Sequence, residues 1–321
     1  MSAVVYALGA YNGQLVAGGG FSYAGDVEVA RIAAWDGTSW GPLGSGMNFT
    51  VLALTIYDGE LIAGGGFTTA GGVDANYIAR WNGTSWAPLG SGLNGGVHEL
   101  AVYNGELIAA GSFSTAGDVS ARSVARWNGE SWAPLGGGMG GEVRALAVYN
   151  GALFAGGSTV AQWNGATWGP LGSGVDGFVH ALADYDGGLI AAGNFRRAGG
   201  LLQANGIARW DGDAWSYYGL FSPIFAHALR GYNGELYAGG RFTSAASGTS
   251  AYFARRGSGF AFGDFDCDGV IGLVDFAEVE SCMNGPEATY RQGCAGGDHD
   301  GDQDVDLADL QWFLNGLHPE L

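Results

Sequence analysis

A stretch running from Tyr103 to Leu135, YNGELIAAGSFSTAGDVSARSVARWNGESWAPL, returns along this chain with small changes, and that recurrence limits the fold more than any other feature. The hairpin signature Tyr, Asn or Asp, Gly, any residue, Leu starts at Tyr11, Tyr57, Tyr103, Tyr149, Tyr185 and Tyr232, in steps of 46, 46, 46, 36 and 47 residues. A second signature, Trp, Asn or Asp, Gly, two residues, Trp, starts at Trp35, Trp81, Trp127, Trp163 and Trp210. The second copy shows what one unit contains. Val51 to Tyr57 alternates apolar and small residues, and Asp58-Gly59 supplies the positive backbone angles of a tight hairpin. Leu61 to Phe67 is the next predicted strand, its glycines suited to a place where backbones crowd. After the loop TTAGGVDAN come a third strand, Tyr77 to Trp81, a turn at Asn82-Gly83, and a fourth strand, Trp86 to Gly90, whose Pro88 suits a sheet edge.

Four strands make one sheet, and a lone sheet of this kind cannot bury both faces, so copies must stack on one another. A period in the forties built from short strands and glycine turns predicts a propeller. The prediction is an all-β, six-bladed β-propeller of four-stranded blades over residues 1–262, followed by a small all-α calcium-binding domain over 263–321. The fourth copy lacks the FxxAG loop present at Phe21, Phe67, Phe113 and Phe195 and, as FxxAA, at Phe242, which accounts for its short step; its strands are expected to survive. In the sixth copy the expected Trp-Asn-Gly is Arg256-Gly257-Ser258, and Phe260 to Phe262 reads as a degraded fourth strand. The ring is expected to close by pairing Val4 to Tyr11 with this last copy.

The 62 glycines and 11 tryptophans follow no collagen period and fit tight turns between aromatic-anchored strands. The net charge of −18 is uneven: from Asp264 onward there are fourteen acidic residues and one basic, Arg291. Neither part offers the clustered positive charge that displaces counterions from phosphates, so nucleic acid is not an expected partner. All thirteen cations are arginine. No apolar run approaches the ~20 residues of a bilayer-spanning helix. Val4 opens the first strand with no basic start or cleavage site ahead of it, so no signal peptide is read.

The acidic segment carries a metal pattern. In GDFDCDGVIGLVDF, Asp264, Asp266, Asp268, Gly269 and Asp275 stand at positions 1, 3, 5, 6 and 12 of a twelve-residue calcium loop, with Val270 offering its carbonyl at position 7. GDHDGDQDVDLADL repeats the arrangement with Asp298, Asp300, Asp302, Asp304 through its carbonyl, Asp306 and Asp309; Gln303 replaces the glycine at position 6, a less comfortable turn. Helices are predicted from Leu273 to Met283 and from Leu307 to Leu317. Ile271 and Val305 share position 8, which a merely solvated acidic tail has no reason to keep.

Two resemblances follow. The repeat, of the form GGxFxxAGxVxxxxIARWNGxxWxPLGxG, resembles the kelch-like propeller repeats of large extracellular bacterial proteins, which implies a fold and leaves activity open. The two loop-helix units, each ending in Asp rather than Glu, look like a type I dockerin, which implies two calcium ions and a protein partner. Dockerins meet cohesins through loop positions 10 and 11. Here these are the apolar pairs Leu273-Val274 and Leu307-Ala308, which suit a different contact, with the repeats themselves or with a neighbouring copy.

Cys282 and Cys294 bracket the connection between the two predicted helices, where a disulfide would stabilise a very small core. Cys267 is the odd thiol: it could be free, replace either partner or cross-link chains. Calcium loops with cysteine bridging point to an oxidising, calcium-rich place, extracellular or at the cell surface.

Catalytic constellations are sparse. The residue before the Ala-Leu of each first strand is Tyr6, Leu52, His98, Arg144, His180 and His227, and a ring of three histidines could hold a transition metal or an anion. Leu and Tyr share the position and no carboxylate is at hand to orient the imidazoles, which favours variable side chains on a polar face. Glu60, Glu106 and Glu235 sit beside equivalent hairpins, too far apart by symmetry to pair as the acid and base of glycoside cleavage. His299 and His318 read as surface residues. Paired tryptophans such as Trp81 and Trp86 suit packing between blades, with stacking on sugars as the rival. The expectation is a non-catalytic extracellular structural protein assembled through its calcium-loaded tail, including assembly of its own copies into a filament or surface layer. The alternative is a carbohydrate-binding or polysaccharide-degrading propeller carried by a dockerin; exposed tryptophans would favour it, buried ones the scaffold.

Overall fold

A computed structural model describes residues 1–200, 202–218, 226–232, 235–240 and 253–257. The predicted calcium ligands (Asp264 to Asp275 and Asp298 to Asp309), the three cysteines, both predicted helices, His299, His318, the Phe260 to Phe262 strand and the 262/263 boundary lie outside the described residues. The described residues are all β, with no helix among them. They fall in two compact units, Met1–Leu171 and Gly172–Leu321.

The first unit holds four sheets, each a four-stranded antiparallel meander in sequence order. Sheet 2 runs through Val51–Tyr57, Glu60–Gly65, Ile78–Trp81 and Trp86–Pro88. Sheets 1, 3 and 4 repeat it, opening with Val5–Tyr11, Val97–Tyr103 and Val143–Tyr149. The first strands of successive sheets lie against one another. The second unit holds sheet 5, from Phe178–Tyr185 to Trp215–Tyr217, and three strands of sheet 6, Ala226–Tyr232, Glu235–Gly240 and Phe253–Gly257. Its first two first strands also lie side by side. The fold is propeller-like.

The hairpins form for the reason the sequence suggests. Asp58 (φ 50°) and Gly59 (φ 75°) both take left-handed backbone angles, the turn whose twist matches the flanking strands, and Tyr57 pairs directly with Glu60. Val5–Tyr11 pairs with Gln14–Gly19 of its own copy through the Asn12-Gly13 hairpin. Its expected pairing with the last copy involves residues outside the described ones.

Strand ends differ from expectation by one or two residues, with identifiable causes. Tyr77 sits at φ 73°, outside extended geometry, so the third strand starts at Ile78. Phe67 leaves the second strand and is fully buried. The segment read as loop TTAGGVDAN contains a small two-stranded hairpin, Thr69–Ala70 with Val73–Asp74, and Ala70 bridges back to Met47 in the linker between sheets. That hairpin recurs at Tyr23–Ala24, Thr115–Ala116 and Arg197–Ala198. Sheet 4 goes from Gly157 to Val160 without it and keeps all four strands, as its short step predicts.

The cores lie between sheets. Leu61, Ala63, Ala79, Trp81 and Trp86 of sheet 2 pack with Val16, Ala34 and Leu43 of sheet 1, and the pattern shifts by one copy for sheets 2 and 3. Packing is close enough to require glycine: a Cβ on Gly64 would stand 2.5 Å from Val97 Cγ1 of the next sheet. The tryptophan pairs belong to these cores, with ring centroids 5.2 to 5.5 Å apart and tilted planes. Trp86 Nε1 donates to the Leu43 carbonyl at 2.9 Å, Trp132 to Leu89 at 3.0 Å and Trp168 to Leu135 at 3.1 Å, each reaching the preceding sheet.

Candidate functional site at the strand bulges

Every first strand carries one irregularity, and it falls at the position the repeat comparison singles out. Pairing skips a residue between Val5 and Ala7, Val51 and Ala53, Val97 and Glu99, Val143 and Ala145, Val179 and Ala181, and Ala226 and Ala228. The skipped residues are Tyr6, Leu52, His98, Arg144, His180 and His227. A bulge takes one residue out of the ladder and re-aims its side chain, a device common beside functional sites. These residues vary between copies because the bulge frees them from the pairing that fixes their neighbours.

In the first unit the rim formed by these bulges changes character along the chain. In the first two copies it is apolar: Tyr6 is 55% and Phe49 60% exposed, with Leu52 half-buried. Across sheets 3 and 4 it is charged. Glu142 Oε1 lies 3.0 Å from His98 Nε2 and accepts from Arg144 Nε at 3.0 Å, while Arg144 Nη2 donates to Oε2 at 3.3 Å. The expectation that no carboxylate orients an imidazole is therefore wrong for His98. Glu142 stands two residues before the bulge, where the repeat otherwise places Val4, Thr50, Gly96 and Phe178, so it escaped a comparison restricted to the bulge position.

Ser112 Oγ also approaches His98 Nε2, at 3.2 Å. A nucleophilic relay needs serine and carboxylate on opposite ring nitrogens. Here both meet the same one, so Glu142 does not position His98 as a base for Ser112. Burial lowers the His98 pKa; Glu142 works against that and Arg144 with it. Neutral His98 then donates its Nε2 proton towards Glu142.

Beside it, Glu99 stands where the other copies have Ala7, Ala53, Ala145, Ala181 and Ala228. Burial pushes its carboxyl up to about 7, against the opposing hydrogen bond from the Leu100 N–H at 3.1 Å. The sequence signal was His-Glu-Leu in place of His-Ala-Leu, a single carboxylate in a small-residue slot.

In the second unit, His180 and His227 have ring centroids 5.0 Å apart, and Phe178 stacks on His180 at 5.6 Å. Among the described residues no three His, Cys, Asp or Glu side chains come together in a metal-holding group. The hairpin carboxylates are engaged: Glu60 with Arg80 at 3.4 Å and Glu106 with Arg126 at 3.1 Å across strands, and Glu235 with the Tyr237 hydroxyl on its own strand. Trp86 and Trp132 are 5% and 6% exposed, so their ring faces are spent on packing.

Bulged meanders stacked through tryptophan-anchored cores define a propeller-like repeat protein. The family comparison agrees with that class. Residues 58–83 match the model of a family described as a domain of unknown function, DUF5122, beta-propeller. Among solved structures, the chain is similar to the WD40 beta propeller domain of Doa1, at 16% identity over 78% of this chain and 76% of that one, with a TM-score of 0.49. It is also similar to the computationally designed Ika8 protein, at 18% identity over 80% and 85% of the two chains and a TM-score of 0.46. No curated protein matches it.

Proposed function

We propose that this protein is a non-catalytic extracellular scaffold: six kelch-like blades closed into a ring, joined to a dockerin-like tail whose two calcium loops mediate assembly with a protein partner, including further copies of itself. One observation supports the choice of scaffold over carbohydrate enzyme. The paired tryptophans of sheets 2 and 3, which could form a sugar platform, join sheets instead, as Trp86 does with its ring in the core and its N–H on the Leu43 carbonyl. The engaged hairpin carboxylates and the single-nitrogen contacts of His98 support the same reading.

The donor set in the tail fits calcium. Asp264, Asp266, Asp268, the Val270 carbonyl and Asp275 make one all-oxygen set, and Asp298, Asp300, Asp302, the Asp304 carbonyl, Asp306 and Asp309 the other; hard oxygens are what this ion takes. When bound, calcium supplies the charge that lets closely spaced carboxylates share one loop. The apolar pairs Leu273-Val274 and Leu307-Ala308 are assigned to the partner contact, and a Cys282–Cys294 disulfide to closing the helix connection. A head-to-tail contact that does not close yields filaments. Calorimetric titration of calcium into the apo chain is expected to show two sites, one lost in Asp275→Ala and the other in Asp309→Ala. Absence of saturable calcium uptake in the wild type would refute the proposal.

A further inference from the structure

Between sheets 1 and 2 lies a cavity of about 270 Å³, bounded by Tyr11, Gln14, Ala34, Asp36, Gly41 and Trp81, among others. The reason it exists is legible from the next two copies. Strand pairing places Val16, Ala34 and Gly41 in one row, as it does Ile62, Arg80 and Ala87, and Ile108, Arg126 and Ala133. Ala34 thus stands where the repeat has an arginine, Gly41 where it has alanine, and Gln14 where it has Glu60 or Glu106. In sheets 2 and 3 the guanidinium lies along the hairpin and meets that glutamate. Sheet 5 keeps the habit: Arg209 Nη2 donates to the carbonyls of Asp186 and Gly187 at 3.3 and 3.4 Å. Sheet 1 keeps the strand register and lacks both the guanidinium and its glutamate.

The negative charge has moved rather than vanished. Asp36 replaces Asn82 and Asn128 in the turn between the third and fourth strands. Its carboxylate accepts the Thr38 and Ser39 N–H groups, both at 2.8 Å, and the Thr38 hydroxyl at 2.7 Å. Asn82 caps its own turn equally well with a neutral amide, accepting from the Thr84 and Ser85 N–H groups at 2.9 Å. The turn therefore does not require the charge. Hydrogen bonds from Ser39 and Thr38 hold the Asp36 carboxyl well below the usual carboxylate range, so it stays ionised. Trp81 and Tyr11, both largely buried, line the pocket at its inner side.

We propose that this cavity binds a guanidinium group supplied from outside the repeat, in the place that Arg80 and Arg126 fill in the next two sheets. The ligand class is an alkylguanidinium, either a free small molecule or an arginine side chain of a second copy, in a chain whose thirteen cations are all arginine. The site is independent of the calcium tail and stands or falls separately from it.

The test titrates the full chain with N-acetylarginine methylamide, followed by the indole NMR signals, with the citrulline analogue as a neutral isostere. Saturable binding in the millimolar range is expected, with the citrulline analogue at least ~10-fold weaker, equivalent to about 1.4 kcal/mol. Ala34→Arg, alone or with Gln14→Glu to restore the repeat's own pair, should abolish binding. Asp36→Asn should weaken it several-fold while preserving the turn that Asn82 already makes. Equal binding of the citrulline analogue, or undiminished binding in both variants, would overturn the proposal. Sedimentation at rising concentration separates the sources. Self-association that the arginine analogue competes away assigns the guanidinium to a second copy, and a monomer that still binds the analogue assigns it to a small molecule.

Discussion

Trp86→Ala is expected to lower stability by about 3–5 kcal/mol, the usual cost of truncating a large buried aromatic. Three losses combine. The ring leaves a void in the core between sheets 1 and 2, where it packs with Leu43, Val51 and Trp81. Its tilted contact with Trp81, at 5.2 Å between centroids, disappears. The Leu43 carbonyl loses its 2.9 Å donor in a place where an unmet acceptor costs about 1–3 kcal/mol. For a unit of this size the thermal midpoint should fall by roughly 6–20 °C. Trp132→Ala should behave alike through Leu89. Trp40→Ala, at the same register in the half-buried first copy, should cost less than half as much. A calorimetric scan checks all three; equal small effects would mean that the tryptophans do not hold the sheets together.

Glu99→Ala is expected to stabilise the protein above neutral pH and to remove a pH slope. The folded-state pKa of Glu99, about 7, lies above the ordinary 4.5, so the folded chain holds the proton more tightly than the unfolded one. Stability is then full at low pH and falls as pH rises from about 4.5 through 7, by at most about 3 kcal/mol and nearer 1–2 allowing for solvent screening of a half-buried group. Alanine is what the other copies carry there, so the substitution leaves a filled slot. His98 contributes the opposite sign: its pKa is lowered by burial, so the unfolded chain binds its proton more readily and stability falls as pH drops below about 6.5. The cleanest comparison is therefore urea unfolding at pH 6.5 and 8. Wild type should lose stability over that step while Glu99→Ala stays level. A variant that matches the wild-type slope would show that the Glu99 carboxyl is solvated.

The meander, its hairpins and its tryptophan pairing were legible because each rests on a local rule repeated in several copies. Asn or Asp followed by Gly takes the left-handed pair of angles wherever it occurs, and Trp alternates with turn residues at fixed spacing. The site was half legible. Repeat comparison found the bulge position from its variability alone, since Tyr, Leu, His and Arg share it. It missed Glu142 because that residue stands two residues outside the compared position, and whether it meets His98 depends on how two strands from different sheets lie side by side. The small hairpins at Thr69–Ala70 were invisible because two-residue strands carry no periodicity; the bridge to Met47 sets them.

The central claim, that calcium in the acidic tail joins the scaffold to its partners, is tested most directly by sedimentation velocity of the full chain in calcium and again in EDTA. The account predicts large species in calcium that collapse to a smaller one when the ion is removed and return when it is restored. An identical distribution in both buffers would contradict it.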